Sequence, residues 1–394
     1  MIGQKGIPTK SGGIERHVES LAIQLAKSGN EVIVYTRPRY SDRESKEYKG
    51  VRLISLPSVY SKHLDAASHT LLATFHAIFK IRDLDIIHYH GIGPSLFLII
   101  ARILKPKTKI VSTFHCQDYY HQKWSFFART MLKLGELSSV YLPHRTIVVS
   151  KNLKQYVKRK YNRDVIYIPN GVSTILQERN KASIKTEKES LRWWDLKPRG
   201  YILTVNRLVR HKGIHTLIES YKKLDESIQK DKKLVIVGDT AFTDNYLDEL
   251  RKMAGNNPNI IFTGQQTGRS LRMLFQNAFL FVHPSESEGL SLSLLESLAY
   301  GLPVLASNIS ANIEVLGNDG FSFKSKNSKD LYEKLSLVLS LPSSRLMKKA
   351  TSGRKKIAKN YNWQLISENT ERLYEEALSL DKPRIFFGLH VKKA

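Results

Sequence analysis

The chain has 394 residues, 41% of them hydrophobic and 25% charged, a balance that describes a globular protein with enough length for two cores and excludes a disordered or low-complexity chain. A formal net charge of +26 directs it toward phosphate-bearing partners, whether nucleic acid, anionic lipid or a small phosphorylated molecule. The single cysteine, Cys116, excludes an internal disulfide and a multi-cysteine zinc cluster, and it suits a reducing compartment as a packed thiol.

The start, MIGQKGIPTK, lacks the long apolar region of a secretory signal. Residues 14 to 26 carry Ile14, Val18, Leu21, Ala22 and Leu25 at helical spacing, and Gly29 marks the helix end. EVIVYT then reads as a buried strand, followed by strands at DIIHYH, KIVSTFH, RTIVVS and DVIYIPN with helical stretches between them. GPSLFLIIARIL, from Gly93, is interrupted by Arg102 and falls short of the ~18 to 20 residues that span a bilayer, so it reads as a buried helix. These features predict a cytoplasmic protein, soluble or peripheral on the inner face of the membrane.

From 173 to 199 the pattern lapses into a polar, charged stretch, and then the alternation restarts. YILTVNR, KLVIVGD, NIIFTG, FLFVHPS and PVLASN read as strands, and IHTLIESYKKL, YLDELRKMA, SLRMLFQNA and LSLSLLESLAY as the helices between them. Alternating strands and helices imply parallel sheets with right-handed crossovers. The expected organisation is a doubly wound α/β domain over 1–172, a linker over 173–199, a second doubly wound domain over 200–360, and a C-terminal segment over 361–394. In that last segment, Trp363 to Leu378 forms a helix returning to the first domain, and the basic tail DKPRIFFGLHVKKA is loose.

Ligands of open α/β sheets bind beyond the carboxyl ends of the strands, with phosphate at a helix N-terminus. Four places meet that description. GQKGIPTKSGGIERHVE sets Gly12 and Gly13 at a helix start, where their amides either face a diphosphate or form a plain turn; the spacing is not the dinucleotide G-x-G-x-x-G. In TVNRLVRHKGI, Arg207 and Lys212 lie between a strand and a helix, either as pyrophosphate ligands or as a solvated basic loop. In ESEGLSLSLLESLAYG, Glu288 precedes a helix and Glu296 falls in its second turn. A helix-start acid near the dipole accounts for Glu288 without any ligand, but Glu296 has the apolar neighbours Leu295, Leu298 and Ala299, and carboxylates suit vicinal hydroxyls. His115 ends KIVSTFH, either as a ligand or in a hydrogen-bonded turn. His88 and His90 end another strand, where they either border the acceptor or, in a chain with thirteen histidines, serve the structure; Asp239 reads as a cap of the following helix, and Asn170 as a turn at the domain junction.

The frame EGLSLSLLESLAYGLPVLAS over 288–307, with two glutamates separated by seven residues and a following G-x-P-V, resembles the retaining GT-B glycosyltransferases of family 4. NRLVRHKG and VIYIPNGV are similar to other stretches of that family, and the resemblance covers nearly the whole chain. It implies a GT-B fold, two Rossmann-like domains facing across a cleft, the first on the acceptor side with a donor phosphate loop and the second holding the nucleotide-sugar donor. It also implies that Glu288 touches the hydroxyls of the transferred sugar and Glu296 the ribose, with Gly289, Leu290 and Ser291 flanking sugar and phosphate. Arg207 and Lys212 would bind the diphosphate, the Gly12-Gly13 loop would close from the opposite domain, and His115 would orient the sugar near its anomeric centre.

The implied activity is transfer of a sugar from a nucleoside diphosphate to an acceptor hydroxyl with retention, in cell-envelope polysaccharide, lipopolysaccharide or glycolipid synthesis. No cofactor or metal is expected, since basic side chains and helix amides can stabilise the leaving diphosphate and no Asp-x-Asp motif occurs. The acceptor would be a saccharide or a lipid-linked molecule. HQKWSFFARTMLKLGELS interleaves Lys123, Arg129 and Lys133 with aromatic and apolar residues, as an anionic-membrane surface does, or as a core helix with exposed lysines does. Alternatives are a sugar-nucleotide epimerase or phosphorylase of similar architecture, and a nucleic-acid-binding protein, which leaves the glutamate frame without a purpose. The chain departs from the family twice. Only Met1 and Ile2 precede the glycine matching Gly3, so either the start is internal to a longer protein or the central strand is trimmed. LSLS at 290–293 replaces a glycine- and proline-containing run, so no donor sugar is implied.

Overall fold

The computed structural model describes residues 1–9, 12–61, 64–117, 119, 125–173, 191–240 and 244–380. Residues 174–190 of the expected linker, the tail from 381, and residues 121–124 of the basic-aromatic segment lie outside the described residues.

In the first half the strands are β1 (Ile33–Thr36), β2 (Glu47–Tyr48), β3 (Val51–Ser55), β4 (Ile86–His90), β5 (Lys109–Phe114), β6 (Arg145–Val148) and β7 (Ile166–Tyr167). Its helices are α1 (Gly13–Lys27), α2 (Asp65–Phe79), α3 (Ile92–Ser95), α4 (Leu98–Leu104), α5 (Phe126–Tyr141) and α6 (Lys151–Tyr161). β4 to β7 run parallel in sequence order, while β1 pairs with β3 and β3 with β2. Met1 and Ile2 stitch the two sets together: Ile2 exchanges backbone bonds with His88 and His90 at 2.9 Å, and Tyr35 donates to the Met1 carbonyl at 3.2 Å. The short first strand is therefore an inserted central rung, with the chain turning to one side for β1 and to the other for β4.

The second half carries β8 (Tyr201–Val205), β9 (Lys233–Val237), β10 (Ile260–Gly264), β11 (Leu280–His283), β12 (Val304–Ser307) and β13 (Phe321–Phe323), all parallel in the order β10-β9-β8-β11-β12-β13. Around them lie α7 (Ile214–Tyr221), α8 (Glu226–Asp231), α9 (Asp244–Ala254), α10 (Gly268–Asn277), α11 (Leu292–Ala299), α12 (Ser310–Leu316), α13 (Ser328–Ser340), α14 (Ser343–Asn360) and α15 (Trp363–Leu378). The strands are near-continuous apolar runs because helices cover both faces. The order reverses between β8 and β11, and a crevice opens where neighbouring crossovers leave in opposite directions. α15 returns to the first sheet, where Trp363, Ile366 and Leu373 pack with Val18, Leu21 and Leu25 of α1. Where the chain comes back, Val172 donates to the Tyr361 carbonyl at 2.7 Å and bridges Asn362.

Several elements differ from the sequence expectations. β2 and β3 form an antiparallel hairpin through Lys49 and Gly50, both at positive φ, a turn that Lys-Gly signals less plainly than Asn-Gly. GPSLFLIIARIL is split into α3 and α4, and only one stripe, Leu98 and Ala101, reaches the core, so Ile103 and Leu104 face out. β13 is too short to show periodicity. α14 is strongly basic, yet it packs by one stripe, its Gly353 against Leu298.

Candidate functional site

Lys212 and Glu288 leave the carboxyl ends of β8 and β11, the two strands at the reversal of the second sheet. That placement brings residues 76 apart in sequence into a buried ion pair, Lys212 Nζ donating to Glu288 Oε1 at 2.5 Å. His283, the last residue of β11, lies 3.1 Å from the same oxygen through Nε2. Burial alone would raise the Glu288 pKa, but Lys212, and then His283, hold it well below the usual carboxylate range. Burial lowers the His283 pKa, partly opposed by Glu288. The result is a fixed carboxylate beside a fixed ammonium at the mouth of the sheet.

Gly289 carries this pair to the first half. A Cβ at 289 would lie 1.7 Å from the main-chain carbonyl oxygen of His115, which follows β5. Next to it, Leu290 is buried and its carbonyl accepts from Asn170 Nδ2 at 3.0 Å. Ser291 caps α11, its hydroxyl accepting from the Leu294 amide at 3.3 Å. Glu296, on the second turn of α11, pairs with Arg16 of α1, with Arg16 Nη1 donating to Oε2 at 3.1 Å.

The glycine loop faces the same place. Gly12 precedes α1 at φ +103, so no side chain among the described residues caps the first amides of that helix; the Glu15 carboxylate lies against the Gly12 α-carbon, and the α-carbon of Gly13 points toward Leu292 of α11. Part of the loop is already held by carboxylates: the Lys5 amide donates to Glu15 at 3.2 Å and the Thr9 amide to Glu19 at 2.8 Å. Arg207 is exposed on the loop after β8, outside these contacts among the described residues. Thus Lys212, Glu288, Gly289, His115, Leu290, Ser291, Glu296 and Gly13 gather where the two halves meet, with Gly12 at the edge.

Three contributors were not singled out from sequence: Arg16, His17 and His283. His283 ends an apolar strand, the same signal that drew attention to His115. Arg16 and His17 carry no such signal, because their partners are far off in sequence, Glu296 in the opposite half for Arg16 and Asn170 at the far end of the first half for His17. One minor reading changes. Asn170 does more than turn the chain, since its Oδ1 lies 2.9 Å from His17 Nδ1 while its amide holds Leu290. The Asp239 carboxylate accepts from the adjacent Thr240 amide at 2.7 Å, and residues 241–243, where the next helix would be capped, lie outside the described residues. His88 is structural, bonded to the Tyr374 hydroxyl at 2.6 Å and to Thr113 at 2.7 Å.

His17, His90 and His115 cluster behind the Gly289 contact, all buried. Burial brings His17 down to about 4 and holds His90 and His115 well below the ordinary imidazole value, so all three are neutral near pH 7. They are the described residues best arranged to hold a metal ion.

Residues 11–175 match the model of Glycosyltransferase Family 4, and residues 188–361 match the model of Glycosyl transferases group 1. An uncharacterized glycosyltransferase of Methanocaldococcus jannaschii is 26% identical, over 95% of this chain and 96% of that one. The alpha-monoglucosyldiacylglycerol synthase of Streptococcus pneumoniae is 27% identical, over 75% of this chain and 67% of its own length. The structure of HepE from Anabaena, in complex with UDP and glucose, superposes with a TM-score of 0.77 at 15% identity, covering 95% of this chain and 98% of that one. The parallel sheets, the site at their strand ends and the matches to both halves agree: the chain is a GT-B glycosyltransferase and belongs to the group 1, family 4 glycosyltransferases.

Proposed function

We propose that this enzyme transfers a hexose-type sugar from a nucleoside diphosphate to an acceptor hydroxyl with retention of anomeric configuration. The observation that carries the reading is the buried Lys212–Glu288–His283 network pressed through Gly289 against His115. The group 1 membership supports the reaction class, and the complex of HepE with UDP and glucose supports a nucleotide-sugar donor.

Lys212 and Arg207 bind the diphosphate, Arg207 from its exposed loop and Lys212 by exchanging Glu288 for a phosphate oxygen. Glu288 then accepts from the sugar hydroxyls, with His283 keeping its carboxylate in place, and Glu296 accepts from the ribose. The open amides of α1 at Gly12 and Gly13 face the diphosphate from the other half, and Gly289, Leu290 and Ser291 flank it. As the bond from the anomeric carbon to the diphosphate oxygen breaks, the acceptor oxygen bonds to that carbon from the same face and its proton passes to the departing phosphate. This route asks the protein for alignment and charge stabilisation. Neutral His115 orients the sugar, and no cofactor or metal enters the transfer step.

In this reading 1–172 is the acceptor-side domain, 200–360 the donor domain, and α15 ties the last segment to the first domain. The acceptor is a saccharide or lipid-linked molecule of the cell envelope, in keeping with the glycolipid named for the pneumococcal relative. No described helix is long and apolar enough to cross a membrane. On α5, however, Phe126 is 87% and Phe127 71% exposed beside exposed Arg129 and Lys133, which supports peripheral contact with an anionic membrane on its cytoplasmic side. A panel of nucleotide sugars offered with saccharide and lipid acceptors, read by mass spectrometry, tests the reaction. Product with the wild type and none with Glu288→Ala supports it; sugar epimerisation or phosphorolysis without an acceptor overturns it.

A further inference from the structure

His17 on α1, His90 at the end of β4 and His115 beyond β5 each present one ring nitrogen within 4.8 Å of the others. Their ring centroids are 4.8 Å apart for His17 and His115, 5.5 Å for His17 and His90, and 5.7 Å for His90 and His115. Three imidazoles on one tetrahedral ion, at metal–nitrogen distances of about 2.0–2.1 Å, have nitrogens roughly 3.3 Å apart and centroids roughly 5 Å apart. His90 Nδ1 and His115 Nε2 lie 3.4 Å apart as a hydrogen-bonded pair, a separation that two nitrogens on one ion also have, so an ion would take the place of the shared proton.

Hydrogen bonding selects the ligand atom on His17. Asn170 uses its amide group to donate to the Leu290 carbonyl, so its Oδ1 is the acceptor and His17 Nδ1 carries the proton. The lone pair of His17 therefore lies on Nε2, which is buried and has no hydrogen-bond partner among the described residues. A ring N–H held by a fixed carbonyl, with the opposite nitrogen bare, is the arrangement that orients metal-bound histidines. His88 provides the contrast: its centroid is 4.0 Å from His90, yet both its nitrogens are satisfied by hydroxyls.

We infer that His17, His90 and His115 form a three-nitrogen site for a divalent transition-metal ion of the zinc class, set where α1 meets the Gly289–Leu290 loop. Neutral imidazoles suit zinc and disfavour magnesium or calcium, which take oxygen ligands. The site does not depend on the transfer chemistry. One consequence does rest on that reading: because His115 is placed at the sugar, a bound ion competes with the donor, making the site inhibitory.

The full chain, stripped with chelator and exchanged into metal-free buffer, is titrated with Zn²⁺ against a chromophoric chelator and, separately, with Co²⁺. The expected result is one tightly held zinc per chain and the intense visible absorption of four-coordinate Co²⁺. Both are lost in His17→Gln and His115→Gln, and Asn170→Ala weakens zinc about 10- to 100-fold. A wild type that takes up no zinc, a zinc content that stays at one in both folded histidine variants, or the weak absorption of six-coordinate Co²⁺ overturns the site. The Co²⁺ result comes from the wild type and does not depend on any variant folding. If zinc binds yet leaves transfer uninhibited, the sugar-facing role of His115 falls and the metal site stands.

Discussion

The α-carbon of Gly289 packs directly against the main-chain carbonyl of His115, and a methyl group there would lie 1.7 Å from that oxygen. Neither partner is a flexible side-chain end, so Gly289→Ala must shift the loop or part the two halves. A strain of about 1–3 kcal/mol is expected, which lowers kcat/KM roughly 10- to 100-fold. Small-angle scattering checks the opening, with a larger radius of gyration than the wild type.

Lys212→Ala leaves Glu288 buried with only His283 for company. Removing one partner of a buried pair costs about 3–5 kcal/mol, more than removing both. Urea unfolding should therefore rank Lys212→Ala as less stable than the double variant Lys212→Met with Glu288→Gln, although both lose transfer activity. An equal ranking would show that the pair is not held as described.

Arg16 is 39% exposed, so its pairing with Glu296 contributes little to stability, about 0.2–1 kcal/mol. If Glu296 serves the ribose, Arg16 competes for the same carboxylate. Arg16→Gln should then tighten donor binding by up to about fivefold, and Glu296→Gln should weaken it. Isothermal titration with the nucleotide product measures both.

His69 is buried on α2 with Nε2 at 3.1 Å from the Thr36 carbonyl, and burial, then Arg37, lowers its pKa to about 4. An unfolded histidine protonates near 6.5, so between those values the unfolded chain binds more protons and stability falls as pH drops. The loss from His69 reaches about 3 kcal/mol by pH 4 and levels off below it. Urea midpoints measured from pH 7 to 4 should fall less steeply in His69→Gln than in the wild type.

Phe126 and Phe127 lie on an exposed helix face beside Arg129 and Lys133. Replacing both phenylalanines by serine should reduce partition into anionic vesicles by at least about tenfold, since each ring removed forfeits roughly 1.5–3 kcal/mol of burial. Sedimentation with anionic and neutral vesicles decides it; equal pelleting of variant and wild type would exclude α5 as the contact.

The alternation of strands and helices was readable because parallel strands covered on both faces are plain apolar runs; KLVIVGD and FLFVHPS correspond to β9 and β11. Lys212 and Glu288 were readable because each lies on the loop that follows such a run, and the topology does the rest by placing β8 beside β11. The β2–β3 hairpin was hidden by a Lys-Gly turn. Arg16 and His17 were hidden for a different reason. Their partners, Glu296 across the cleft and Asn170 at the end of the first half, lie 280 and 153 residues away, and no local spacing encodes a contact made only once the chain has folded back on itself.

Val172 and Tyr361 sit side by side where the chain leaves the first sheet and where it comes back to it. Two passages sharing one line would give any swing of the halves a single axis, as a door has. The contacts that must part in such a swing include two ionic fastenings, Arg16 to Glu296 and the carboxylate of Glu314 on the first amides of α6, at 2.9–3.4 Å. Both are partly open to solvent, where mobile ions weaken them. Ionic strength thereby sets how firmly these two fastenings hold, while the apolar packing between the halves is left as it is.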